Sequence, residues 1–253
     1  MTILLEIKDV IKRFGGIVAL NNVSLCVNEK EIVGLIGPNG SGKTTLINVI
    51  SGLYKPDSGK IIFKGVDISK IPAYLRCRMG ISRTYQITRL FGRLTALENV
   101  VVSVLNSERH GKISVAQAKH VANDILMTLG LEKIKNTYAK LLTAPQRRLL
   151  EIARAVGGNP ELLLLDECVT GLTPSETLEV LDAIKKISRE REISIIMVEH
   201  VMHAVMSVSD RVIVLHEGKK IAEGSPKEIA ESEKVAEVYF GDREIALGFL
   251  REM

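Results

Sequence analysis

The stretch that most constrains this chain is Gly37-Pro38-Asn39-Gly40-Ser41-Gly42-Lys43-Thr44, which fits the spacing of a phosphate-binding loop, G-x-x-x-x-G-K-[ST], residue for residue. Before it runs Glu31-Ile32-Val33-Gly34-Leu35-Ile36, an apolar, β-branched segment that reads as a buried strand. After it, Thr45-Leu46-Ile47-Asn48-Val49-Ile50 reads as a helix. A triphosphate has to be wrapped by backbone N–H groups at a helix N-terminus, so side chains must be absent where the backbone approaches it. The glycines permit that approach. Lys43 supplies a cation for the β and γ phosphates, and the Thr44 hydroxyl is placed to ligate the Mg²⁺ that travels with the nucleotide. ATP and Mg²⁺ are the expected cofactors, with residues 37–44 and Thr45 as the binding segment.

A chain of 253 residues can bury a full core as one α/β domain with a subdomain inserted, and 46% apolar and 25% charged residues give no sign of disorder. The net charge of +4 is mild, and no basic run is interleaved with aromatics, so nucleic acid is not an expected partner. Cys26, Cys77 and Cys168 are far apart and odd in number, which indicates neither a disulfide framework nor a zinc cluster and suits a reducing cytosol. The first residues reach Glu6 before a signal-type apolar core can form, and no apolar run is long enough to span a bilayer. The expected location is cytoplasmic, with any membrane attachment supplied by other chains.

Leu5–Val10 and Val23–Val27 alternate as half-buried strands, and Lys60–Gly65 follows a turn at Asp57-Ser58-Gly59, which predicts an antiparallel β layer. From about Pro72 to Gly158 the pattern is mostly helical, with apolar residues at helical spacing between Ser114 and Leu131. The parallel core resumes at Glu161–Glu167, a solid apolar strand ending in two carboxylates. Thr173-Pro174-Ser175-Glu176 and Ser225-Pro226-Lys227-Glu228 are capping boxes with proline at the first helical position. Ile193–Val198 and Arg211–Leu215 read as further strands. The expected fold is an α/β phosphate-loop NTPase: a mostly parallel core with the antiparallel layer (residues 1–86 and 159–224), a helical subdomain (87–158) and a C-terminal helical tail (225–253).

In such an enzyme the metal takes a carboxylate from the end of a neighbouring buried strand, and Asp166 is positioned for that. Glu167 follows it and diverges from it at the strand end, where it can hold and deprotonate an attacking water. Gln86, at the boundary between the core and the helical insertion, can reach both metal and water. His200 closes the next core strand and can hydrogen-bond the γ phosphate as charge grows there. Taken singly, Gln86 reads equally as a polar loop residue and His200 as a structural histidine.

Together the loop at 37–44, Gln86, Leu142-Thr143-Ala144-Pro145-Gln146, Asp166-Glu167 and His200 resemble, in order and spacing, the ATP-binding subunits of ABC transporters over nearly the whole chain. The resemblance implies that Phe14 stacks on adenine with Val18 beside it, although by sequence alone Phe14 serves equally well as core. It implies a second ABC ATPase subunit, identical or different, whose nucleotide is met by the segment 142–146, and integral membrane permease subunits that hold the chain peripherally on the inner face of the membrane. Arg83-Thr84-Tyr85-Gln86, Arg89-Leu90-Phe91, Leu94–Val100, Ala222–Pro226 and Val238-Tyr239-Phe240-Gly241 are similar to the importer ATPases for branched-chain amino acids, and in part to those for urea, short amides and lipopolysaccharide export. The rival classes are a soluble ABC ATPase without a transporter and a weakly hydrolysing regulatory subunit. One cassette and no sustained heptads speak against the first of these.

The chain departs from the family pattern at its partner-facing residues. Where the family carries Leu-Ser-Gly-Gly-Gln, this chain has Leu142-Thr143-Ala144-Pro145-Gln146, and Pro145 has no N–H to donate. Glu167 is followed by Cys168 rather than proline, and Thr173 stands where Asp or Asn is common. These changes predict ordinary MgATP affinity with slow turnover of a homodimer. Arg76, Arg78, Arg83, Arg89 and Arg93 gather near the expected permease contact and read either as partners for acidic groups or as a solvated basic face.

Overall fold

The computed structural model describes residues 2–85 and 90–240. The chain begins with a long hairpin, β1 (Ile3–Phe14) and β2 (Ile17–Asn28), in which Phe14 pairs with Ile17 across the two-residue turn Gly15-Gly16. The first sequence feature follows directly: β3 (Ile32–Ile36), the glycine loop, then α1 (Lys43–Ile50). β4 (Ser58–Phe63) and the short β5 (Val66–Asp67) return to the hairpin, giving an antiparallel sheet in the order β2-β1-β4-β5.

After α2 (Ala73–Met79) comes β6 (Ile81–Arg83), and then the helices α3 (Ala96–Leu105), α4 (Val115–Thr128) and α5 (Ala144–Gly157). β7 (Leu162–Asp166), α6 (Pro174–Arg191), β8 (Ser194–Val198), α7 (Met202–Val208), β9 (Arg211–His216) and β10 (Lys219–Gly224) complete the core, followed by α8 (Pro226–Ala230) and α9 (Glu233–Phe240). The second sheet has the order β10-β9-β3-β8-β7-β6, parallel throughout except for β10.

β7 shows why a leucine run makes such a strand. Its residues alternate between the two faces of the sheet. Leu163 and Leu165 join the helices α3, α4, α5 and α6 in one core, while Leu162 and Leu164 join β1, β2, β4 and α1 in another. Both faces are covered, so no residue of the strand is free to be polar until Asp166 at its end. A third, smaller core packs Ile36, Val205, Val212, Val214, Ile229 and Val235 beneath the C-terminal helices.

Two local features add to the sequence reading. Within the mostly helical stretch from Pro72, Ile81, Ser82 and Arg83 pair with Leu162, Leu163 and Leu164 as the edge strand β6 of the core. Arg76, counted among the surface arginines, is only 1% exposed. Its guanidinium donates to the carbonyls of Val49 (2.7 Å) and Ile50 (2.8 Å) at the end of α1, and to those of Ile71 (2.8 Å) and Ser69 (3.3 Å). Burial lowers its pKa to about 10, so the group remains charged at neutral pH. Arg76 is a C-terminal cap for the phosphate-loop helix. Replacing it with Met should destabilise the chain by about 3 kcal/mol, because several buried carbonyls lose their donor at once. Denaturant unfolding measures this, and a loss below about 1 kcal/mol would remove the capping role.

Candidate nucleotide site

The order β3-β8-β7 decides the site, because parallel strands deliver their C-terminal ends to one edge of the sheet. β3 ends in the loop 37–42, β8 leads to Glu199 and His200, and β7 ends at Asp166 with Glu167 next. The structure therefore brings the glycine loop, the paired carboxylates and His200 together. Gln86 and Arg89 lie outside the described residues.

The loop is shaped by its glycines before any ligand arrives. A Cβ on Gly37 would sit 2.1 Å from the Leu215 carbonyl oxygen, and one on Gly42 would sit 2.6 Å from that of Ala19. Gly42 also has φ +103°, a left-handed conformation at the N-cap of α1 that L side chains rarely adopt. The turn between β9 and β10 braces the loop from outside, with Gly218 N–H donating to Ser41 O at 3.0 Å. Tyr239, on α9, lies against the start of the loop, where its hydroxyl accepts the Gly37 N–H. Burial pushes its pKa up to about 12, with that donor pulling against the rise.

Lys43 is buried, and its Nζ donates to the carbonyls of Gly37 (2.7 Å) and Pro38 (2.9 Å). Burial lowers its pKa, opposed by the charges of Glu167 and Asp166. Asp166, 3% exposed, is pushed up from the usual carboxylate range by burial, with the Arg83 guanidinium the largest influence in the other direction. Arg83 stands 3.5 Å from Asp166 Oδ2, longer than a tight charge-assisted hydrogen bond. Its shorter bonds go to Asn48 Oδ1 (2.7 Å) and Ser51 Oγ (3.1 Å) on and after α1. The exposed Thr44 hydroxyl and the Asp166 carboxylate are hard oxygen donors, the type that suits Mg²⁺. Glu167 has a left-handed backbone, φ +52°, and its Oε1 meets His200 Nε2 at 2.9 Å.

Phe14 is 42% exposed at the hairpin tip, in edge contact with Tyr54 at 5.2 Å between ring centres, and Val18 beside it is also exposed. The next residue, Ala19, is the one whose carbonyl backs Gly42, and Lys12 Nζ lies over the Phe14 ring, 5.4 Å from its centre. Leu142 is buried in the helical core, Thr143 caps α5, and its N–H donates to Gln146 Oε1 at 3.1 Å. Ala144 and Pro145 open that helix, so the missing N–H of Pro145 falls in the first turn, where helix amides have no partner within the helix. Among the described residues no hydrogen bond joins this segment to the loop 37–44.

Three contributors are not evident in the sequence: Glu199, Arg83 and Tyr239. Glu199 and Arg83 each have a partial signal, a charged residue beside a strand end in an apolar context. Tyr239 has none beyond its motif, because its contact depends on how the tail folds back.

A glycine loop opening a helix, a lysine within it, and a carboxylate pair and histidine at the ends of adjacent parallel strands define the class: a phosphate-loop nucleotide hydrolase. Comparison with known proteins narrows this. Residues 20–170 match the family described as ABC transporter, and residues 219–245 match the family described as branched-chain amino acid ATP-binding cassette transporter. The chain belongs to the ABC transporter ATPases, whose members bind ATP and hydrolyse it.

Among its relatives, the high-affinity branched-chain amino acid transport ATP-binding protein BraF of Pseudomonas aeruginosa is 37% identical over 250 residues, covering 94% of this chain and 98% of that protein. The corresponding LivG of Salmonella typhimurium is 38% identical with the same coverage. Among solved structures, the ADP conformation of the ABC transporter cassette MJ1267 superposes with a TM-score of 0.84 at 30% identity, covering 96% of this chain and 100% of that one. The dimeric post-hydrolysis state of the cassette MJ0796, bound to ADP and Pi, gives 0.77 at 28% identity, covering 88% and 99%.

Proposed function

We propose that this chain is the motor of an ABC importer for branched-chain amino acids or a related small polar solute, closing on MgATP as a dimer and passing that motion to membrane permease subunits. The observation that carries the importer reading is the match of residues 219–245, at the C-terminal end, to the branched-chain amino acid family, on top of a cassette match further upstream. The lipopolysaccharide-exporter reading ranks behind it, because the branched-chain relatives are the more similar ones.

In this reading the backbone amides of residues 37–45 cradle the phosphates, with Lys43 at the β and γ oxygens. Thr44, Asp166 and Gln86 hold Mg²⁺, which offsets phosphate charge when bound. Glu167 activates water, and the His200 it touches stabilises the charge that grows on the γ phosphate. Phe14 and Val18 receive adenine, and Leu142–Gln146 meets the nucleotide of the second subunit.

No described helix is long and apolar enough to cross a membrane; in this reading the permease is a separate integral membrane chain that holds this one peripherally. Its docking place is the groove of about 450 Å³ between core and helical layer, lined by Leu53, Cys77, Arg78, Tyr85, Asn106 and Arg154 among others. Cys77 is exposed there, whereas Cys168 is buried. A maleimide should therefore label Cys77 on the free chain, and labelling should fall by about tenfold when permease chains co-purify with it. Equal labelling in the complex would remove the groove as the docking place. Failure of any membrane chain to co-purify would favour a soluble ATPase.

A further inference from the structure

We infer that Glu199 is the positioning residue that fixes the direction of Glu167, by clamping the turn after it from the adjacent strand. The inference rests on the proposed role of Glu167 in activating water. Glu167 occupies the left-handed region, which costs any residue with a side chain and persists only where neighbours impose it. Two holds impose it here. Glu167 N–H donates to Val198 O at 2.9 Å, and two residues later Val169 N–H donates to Glu199 Oε1 at 2.8 Å. Val198, Glu199 and His200 are consecutive, so one strand end grips the catalytic turn at its backbone on either side and at the Glu167 carboxylate.

The first hold is backbone to backbone and would form with any residue at 198. The second needs this side chain. Glu199 is a buried carboxyl, 1% exposed. Burial raises its pKa, while the Val169 N–H, the Cys168 thiol and the His200 N–H pull against that rise. Its second oxygen, Oε2, is buried without a hydrogen-bond partner. A group kept for packing alone would be better apolar, since an unmatched buried oxygen is destabilising. What Glu199 provides is reach: its Oε1 arrives at the one amide whose release would let residues 167–169 relax toward ordinary backbone and swing the Glu167 carboxylate away from His200.

Two conservative changes separate reach from charge. Glu199→Gln keeps the length and an acceptor oxygen, so kcat should stay within about threefold of the parent chain. Glu199→Asp keeps the charge but withdraws the oxygen, and kcat should fall by about tenfold to a hundredfold with KM and Kd for MgATP within about twofold, as a displacement near 1 Å predicts. Amide hydrogen exchange at Val169, measured without nucleotide, should quicken in Glu199→Asp and stay slow in Glu199→Gln.

A Glu199→Asp chain with parental kcat or parental exchange overturns the clamp. A Glu199→Gln chain as slow as Glu199→Asp overturns it too, because charge would then matter rather than reach. A fall in ATP affinity in place of kcat would move the effect to the phosphate loop and count equally against it. Failure of the water-activation reading is distinguishable, since Glu167→Gln would then retain turnover while exchange at Val169 still reports on the clamp.

Discussion

Glu167→Gln should reduce ATP turnover by about 10² to 10⁴-fold while leaving MgATP affinity unchanged, and should accumulate an ATP-bound dimer on gel filtration. The carboxylate sits at the end of β7 beside Asp166, with His200 Nε2 on Oε1 at 2.9 Å. Glutamine preserves that contact and the shape of the turn but cannot accept the proton of an attacking water. The closed complex would then form without a route to hydrolysis. A variant that still hydrolyses ATP would take water activation away from Glu167. One that remains monomeric with MgATP, with no second ATPase subunit present, would count against the dimeric reading.

Converting Thr143-Ala144-Pro145 to Ser-Gly-Gly should raise hydrolysis by about tenfold to a hundredfold in a homodimer, with little change in ATP affinity. The expected gain comes from one backbone donor. Pro145 occupies the first turn of α5, where the helix has amides to spare and a positive end to offer a phosphate, but proline withholds its N–H. Thr143 and Gln146 already fix the entry to the helix, so the change need not rebuild it. An unaltered rate would mean that the missing donor is not limiting, or that a sister subunit with an intact segment is the working partner. Mixing the two chains separates those outcomes.

Much of this architecture was legible because the chemistry and the periodicity agree. The glycine loop could be read from spacing, and the four leucines before Asp166 could be read as a strand covered on both faces. β6 was not legible: three residues, Ile81 to Arg83, carry no period, and only their pairing with β7 makes them a strand. Arg76 misleads for a related reason, since a charged residue on a helix reads as solvent-facing until the carbonyls at the end of α1 are brought to it. The Glu199 clamp joins residues 30 apart in sequence across neighbouring strands, and no local pattern encodes that meeting. The sequence showed which groups stand at the sheet edge but not how they hold one another.

The alternating leucines of β7 have a mechanical consequence. Because successive side chains feed cores on opposite faces, the sheet acts as a stiff bulkhead between two compartments. A tilt of the helical side shears only the packing on that side and leaves the bed under the glycine loop undisturbed. Force generated in one compartment can then reach the other mainly around the rim of the bulkhead, where Asp166, Glu167 and His200 stand.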